Sequence, residues 1–181
     1  MWQGSVEWVF YFVRHGQTDY SQQNTKIYQG FGVNLAGLSR EGEAQIRKTA
    51  GDSRLAGTTL ILSSPYTRAV QTAAILSRAL GADIAVETDL HEWLANRDYR
   101  YEDDKTARRA LEEYERDRGR HTSAAQRWEE TWALRERVIR VLERYRDWQK
   151  VVVVCHGMAI QAVTGKGHPD CGEIVAFDLP R

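Results

Sequence analysis

Phe12-Val13-Arg14-His15-Gly16-Gln17-Thr18 is the stretch from which the rest of the chain is read. Residues 8–13, Trp-Val-Phe-Tyr-Phe-Val, form an apolar run without alternation, the pattern of a strand buried on both faces. The run stops on an arginine, a histidine and a glycine. An open parallel sheet places its ligand crevice at the carboxyl ends of its strands, so the ending marks a candidate site as well as a central strand. A three-residue pattern also arises by chance, as a strand end wetted by ordinary polar residues, and the remaining segments must decide between the two.

A second strand of the same kind lies far along the chain. Lys150 introduces Val151-Val152-Val153-Val154-Cys155, which also ends on His-Gly, at His156-Gly157. Shorter strands are expected at Thr58–Ser63 and Ile84–Val86, and Glu173–Leu179 alternates as an edge strand. Between them lie helical patterns. Ser39 reads as an N-cap with Glu41 and Glu43 in the first turn, predicting a helix to about Leu55 that Gly57 ends. Ser64-Pro65 predicts a helix start, serine as cap and proline at the first position, running through Ala69, Ala73 and Leu76 to Gly81. A helix over Met158–Thr164 follows the valine strand. Residues 99–120 read as a solvated helix or helical pair, and Ser123–Trp148 as one long amphipathic helix in which Trp128 and Trp132 are packing residues. Asp19–Gly37 is a long polar, glycine-containing loop leaving the first strand, and Thr88–Trp93 another loop at the same edge. Strands alternating with helices, without repeats or low-complexity segments, predict an α/β fold: a three-layer α/β/α sandwich with a mostly parallel central sheet, one domain over residues 1–181.

Composition narrows the function classes. Lys plus Arg number 25 and Asp plus Glu 25, so no net charge draws the chain toward nucleic acid or an anionic membrane, and neither is expected as a partner. The first residues lack a signal-peptide pattern and no apolar run reaches the ~20 residues of a membrane span, so the expected location is cytoplasmic. Cys155 and Cys171 are the only cysteines and are expected to stay reduced.

At the carboxyl edge of the predicted sheet the order of elements gathers Arg14 and His15, Arg68 near a helix start, Glu92 in a loop, and His156. Guanidiniums at strand and helix ends suit bidentate phosphate binding, and a helix amino terminus adds positive potential. A histidine among arginines loses its proton, so one of the pair can act as a neutral nucleophile on phosphorus. The other can stay protonated and steady the transferring group.

At this point the sequence resembles the histidine phosphatase superfamily, also called phosphoglycerate mutase-like. The resemblance runs in order through Val13-Arg14-His15-Gly16-Gln17-Thr18, Gln29-Gly30 and Leu38-Ser39-Arg40-Glu41-Gly42-Glu43-Ala44-Gln45. It continues through Ser63-Ser64-Pro65-Tyr66-Thr67-Arg68-Ala69-Val70-Gln71-Thr72-Ala73, Leu90-His91-Glu92 and Val154-Cys155-His156-Gly157. It implies that His15 is the nucleophile that becomes phosphorylated, that Arg14, Arg68 and His156 complete the phosphate pocket, and that Glu92 is the proton donor. Thr18, Ser21, Gln29 and Gly30 are the implied substrate-binding residues. The implied substrate is a small phosphorylated molecule, and no metal or other cofactor is implied.

The departures from the family pattern are specific. Ser21 stands where the family usually carries an asparagine, and Asn24 is the alternative donor. No aspartate follows Gln29-Gly30 in Phe31–Gly37, and no glycine follows the acid in Glu92-Trp93-Leu94-Ala95-Asn96-Arg97-Asp98, so the substrate lid is expected to be unusual. Asp98, Glu102 and Asp103 are the fallback acids. Three rival readings stand beside the phosphatase: a metal site of Cys155, His156, His168 and Cys171, against which neighbouring strand residues point to opposite faces; a mutase, whose family members carry a longer insertion between acid and second histidine; and a catalytically silent phosphate-binding or interaction module. Substrate choice is expected to reside in the Asp19–Gly37 loop, the Glu92-Trp93 loop and the basic residues Arg97, Arg100, Arg108 and Arg109.

Overall fold

The computed structural model describes residues 9–22 and 32–179. The apolar runs become a five-stranded sheet of β1 (Val9–Arg14), β2 (Leu60–Ser63), β3 (Asp83–Val86), β4 (Lys150–Cys155) and β5 (Ile174–Asp178), in the order β3-β2-β4-β1-β5. All neighbours are parallel except β5, which runs antiparallel along β1 at the edge. The register sets Val13 beside Val154 and Arg14 beside Cys155, so the two His-Gly endings leave the sheet side by side.

Helices α1 (Gly32–Leu35), α2 (Arg40–Thr49), α3 (Thr67–Leu80), α4 (Asp104–Arg116), α5 (Thr131–Arg144) and α6 (Gly157–Thr164) are the α-helices among the described residues, and Thr88–Leu90 form a 3-10 turn before Glu92. Strand residues alternate between two cores. Val13, Ile61, Val152 and Val154 pack on Ile46 of α2 and Ala69, Ala73 and Leu76 of α3. Phe10, Phe12, Leu62, Val151 and Val153 pack on Leu134, Val138 and Leu142 of α5 and Ile160 and Val163 of α6. Two covered faces explain why β1 and β4 are so continuously apolar. The three-layer sandwich expected from the sequence is the observed fold.

Three local expectations differ. Helix α3 begins at Thr67, after Tyr66, and Ser64 is not its cap. Helix α2, capped by Ser39 through the Gly42 amide, ends at Thr49, and Ser53–Leu55 form a separate 3-10 turn capped by Asp52. The segment before α5 is not helical. Gln126 Oε1 accepts the amides of Thr122 and Ser123, and its Nε2 donates to Asp117, so local side chains satisfy a backbone that spacing alone places in a helix. Trp128 is buried there at 1% exposure, with Tyr114 and His121 edge-on to its ring, whereas Trp132 at 59% is a surface residue and not the packing residue its spacing suggests.

Among the described residues no helix is long and apolar enough to cross a membrane. Both cysteines are free thiols, and burial pushes that of Cys155 well up from its ordinary value.

Candidate active site

The carboxyl ends of β1, β2 and β4 meet over one small volume. His15 follows β1 directly. Its Nδ1 lies 2.7 Å from the Gly16 carbonyl oxygen, which can only accept, so Nδ1 carries the proton and Nε2 keeps its lone pair. Arg68 Nε donates to that Nε2 at 3.2 Å. Burial, then the Arg68 charge, lowers the His15 pKa from 6.5 to about 3, against an opposing effect of the Gly16 bond.

His156, after β4, packs edge-on to His15 with ring centroids 5.1 Å apart. Its Nδ1 faces Arg68 Nη2 at 3.5 Å, a group that only donates, so Nε2 carries the proton and donates to Ser64 Oγ at 2.7 Å. Burial, then Arg68 and His15, hold its pKa well below the ordinary range. The sequence points to one neutral and one protonated imidazole. In the structure, burial and the Arg68 charge both oppose a proton on either ring.

The Ser63–Ala73 motif now has a physical reading. Ser64 fixes His156; Arg68, on the first turn of α3, contacts both imidazoles and donates through Nη1 to the Val33 carbonyl at 2.8 Å. Gln71 Oε1 accepts the Leu38 amide, and Thr72 Oγ1 donates to the Arg68 carbonyl while accepting the Gly16 amide. Gly16 is required because a Cβ there would lie 2.5 Å from the Gly42 carbonyl oxygen, where α2 closes on the strand end.

Arg14 Nη1 donates to the Pro169 carbonyl at 2.7 Å and lies 3.4 Å from His168 Nδ1. Among the described residues its Nε is buried without a partner, as is Thr18 Oγ1. Two orphaned polar groups on the segment that carries His15 suit a site built for a polar ligand. Glu92 Oε1 accepts the Trp93 amide at 2.8 Å and Oε2 that of Met158, at the start of α6, at 3.4 Å. Burial raises its pKa, opposed by those amides and by Arg68, so a proton is retained to higher pH than on an ordinary carboxyl.

His15, His156, Arg68, Arg14 and Glu92 are thus brought to one edge. Ser21 is exposed, with its amide donating to Asp19 Oδ1. Gln29, Gly30 and the alternative donor Asn24 lie outside the described residues. Among the described residues no three His, Cys, Asp or Glu side chains gather as metal donors, so the Cys155, His156, His168 and Cys171 reading lacks an assembled ligand set. Two contributors are not legible in the sequence. Ser64 has the look of a helix cap. Arg137 of α5 lies far from the motifs, yet donates to the carbonyls of Asp89, His91 and Glu92 and pairs with Glu129 at 2.7 Å, fixing the loop that carries Glu92. An arginine one residue before the apolar Val138 is its only signal.

A mostly parallel α/β/α sandwich with paired imidazoles where two adjacent strands end is the architecture of the histidine phosphatase class. The chain belongs to the histidine phosphatase superfamily (branch 1), whose sequence model matches residues 10–168. A bifunctional protein of Mycobacterium tuberculosis is 41% identical over 81 residues, covering 44% of this chain and 21% of that protein. The match therefore spans about a fifth of that relative's length. A mycobacterial glucosyl-3-phosphoglycerate phosphatase superposes with a TM-score of 0.63 at 25% identity, over 86% of this chain and 76% of that one. A phosphoglycerate mutase from Thermus thermophilus does so with 0.64 at 26%, over 96% and 94%.

Proposed function

We propose that this protein is a phosphomonoester hydrolase that works through a phosphohistidine on Nε2 of His15. The observation that carries the reading is the pinned tautomer: with Nδ1 committed to the Gly16 carbonyl, the Nε2 lone pair faces Arg68 and stays unprotonated to about pH 3. The substrate phosphate takes over the Nε–H of Arg68 and engages Arg14 Nε and the Thr18 hydroxyl, which have no partner among the described residues. Its negative charge also favours a proton on His156. Nε2 attacks phosphorus as the bond to the alcohol oxygen breaks, and Glu92 gives that oxygen its retained proton. The Glu92 carboxylate then takes a proton from water, whose oxygen attacks phosphorus, and the P–N bond breaks to return neutral His15 and inorganic phosphate.

The likeness to a phosphoglycerate mutase supports a second reading, transfer of the phosphoryl group between positions of one substrate. Hydrolysis is favoured because, among the described residues, the cleft next to the phosphate pocket offers a single cation, Arg100, beside Glu102 and Asp104, a poor setting for a second phosphate.

The test is a screen of phosphomonoesters in the presence of chelator, with the wild type and His15→Ala, and an alkaline denaturing quench to retain phosphohistidine. The expected result is turnover and a phosphorylated intermediate in the wild type only, with a loss of about 10³-fold or more in the variant. Full activity in His15→Ala would sink the mechanism, and phosphoryl transfer faster than release to water would replace hydrolase by mutase.

A further inference from the structure

We infer that the cleft beside the phosphate pocket receives a flat aromatic group carried by the alcohol part of the ester; this rests on the phosphatase reading and names its substrate class. The cleft has a volume of about 250 Å³ and is walled by Tyr66, Trp93, Tyr99 and Tyr101, with Val33 of α1 and Ala107 of α4. That is near the lower end of the ~300–1,000 Å³ typical of small-molecule sites, room for one compact group and not for a polymer.

The cleft opens from the chemistry itself. The Tyr66 ring stands edge-on to His156 with centroids 5.1 Å apart and has Arg68 Cζ 5.0 Å over its face. Val33 accepts from Arg68, and Trp93 follows Glu92 and donates its amide to that carboxyl. An alcohol whose oxygen is protonated by Glu92 therefore has its carbon skeleton directed onto Tyr66 and Trp93.

The walls choose by what they lack. The indole N–H of Trp93 is committed to the Glu129 carbonyl. Both ends of the Asn96 amide are used, Nδ2 on Glu102 and Oδ1 on the Asp98 amide. The Tyr99 hydroxyl lies 3.2 Å from His91 Nε2. The polar groups of Trp93, Asn96 and Tyr99 are thus already paired and less open to the hydroxyls of a polyol. A second anion would meet two carboxylates and one guanidinium among the described lining residues. What the cleft presents instead is ring surface, with Tyr99 at 63% and Tyr101 at 46% exposure.

That surface is also held in place. His91 is buried, stacks toward Tyr66 at an interplanar angle of 27°, and lies edge-on to Tyr99 with centroids 5.8 Å apart. Tyr99 has a φ of 56°, a left-handed conformation costly for a bulky residue and retained where its surroundings require it. A wall fixed before the ligand arrives loses little on binding it.

The test uses pairs matched at the reacting oxygen, so that intrinsic reactivity cancels. The value of kcat/KM for 2-phenylethyl phosphate should exceed that for propyl phosphate by about tenfold, the worth of one aromatic stack. The non-hydrolysable 3-phenylpropylphosphonate should bind tighter than butylphosphonate by the same factor, measured by calorimetry. Adenosine 5′-monophosphate against ribose 5-phosphate repeats the comparison with a nucleobase. A preference in both pairs assigns the cleft to either kind of ring, and one confined to the phenyl pair assigns it to a bare arene. Tyr99→Ala should shrink the ratio to within about threefold, whereas Trp132→Ala, exposed on α5, should leave it unchanged. Equal binding of the two phosphonates overturns the inference even if esters are hydrolysed. An aryl preference in binding with no turnover and no phosphohistidine keeps the cleft assignment and overturns the phosphatase reading.

Discussion

At the sheet edge, His15 and His156 are buried and their ring nitrogens are committed to Gly16, Ser64 and Arg68. Across the cleft, the stretch from Trp93 to Glu102 presents half-exposed rings and a strained turn at Tyr99. The first region is organised by the parallel ladder, which sets positions residue by residue. The second is organised by side-chain packing on an irregular backbone. Chemistry common to a family belongs on the former, and discrimination among substrates on the latter, where residues can change without disturbing the ladder.

Three variants and a change of pH test this division. Arg68→Ala, which empties the centre of the buried group, should lower kcat/KM by about 10³-fold for aromatic and aliphatic esters alike, measured by steady-state kinetics on both. A loss confined to one class would mean that Arg68 serves the cleft.

Arg137→Lys acts on the junction. A lysine cannot serve three carbonyls and Glu129 at once, so the Glu92 loop loosens and kcat should fall by about tenfold. As the proposed proton donor, Glu92 must be protonated, so kcat should fall as pH rises through its raised pKa. With water admitted, that alkaline limb should move to lower pH in Arg137→Lys. An unmoved limb would reduce Arg137 to a structural residue.

The smallest effect is on stability. The folded pKa values of His15 and His156 are depressed, so the unfolded chain takes up protons below about 6.5 while the folded chain does not, down to about 3 for His15. The contribution is complete above about pH 6.5 and is lost as pH falls toward 3, at roughly 1.4 kcal/mol per pH unit for each histidine. Urea unfolding between about pH 6 and 4 should show this slope, to which buried His91, also depressed, adds in the same direction, and His15→Asn should lower it by the share of one histidine. An equal slope in the variant would mean that His15 is not held neutral.

The same division explains what the sequence makes legible. Beta strands with two covered faces announce themselves as apolar runs, and the polar residues that end them fall at the site by the geometry of parallel sheets, so Arg14, His15 and His156 can be placed from position alone. Arg68 and Glu92 need the resemblance as well, because a helix arginine or a loop acid has no periodicity of its own. Ser64 reads as a cap because serine before proline has that local chemistry, and only a strand end 92 residues further on reveals its bond to His156. The region before α5 reads as helix because tryptophans at helical spacing carry no sign of the Gln126 and Asp117 side chains that hold a non-helical backbone.

The placement of β1 has a consequence for how the chain is made. Neither of its partners exists until synthesis has reached Lys150, where β4 begins, and then Ile174, where β5 begins. At ~5–20 residues per second, Val9–Val13 leaves a ribosome on the order of ten seconds before either neighbour. The strand that positions His15 therefore waits as an unpaired adhesive segment until those neighbours are made, and a helper that shields emerging apolar chain would matter most during that wait.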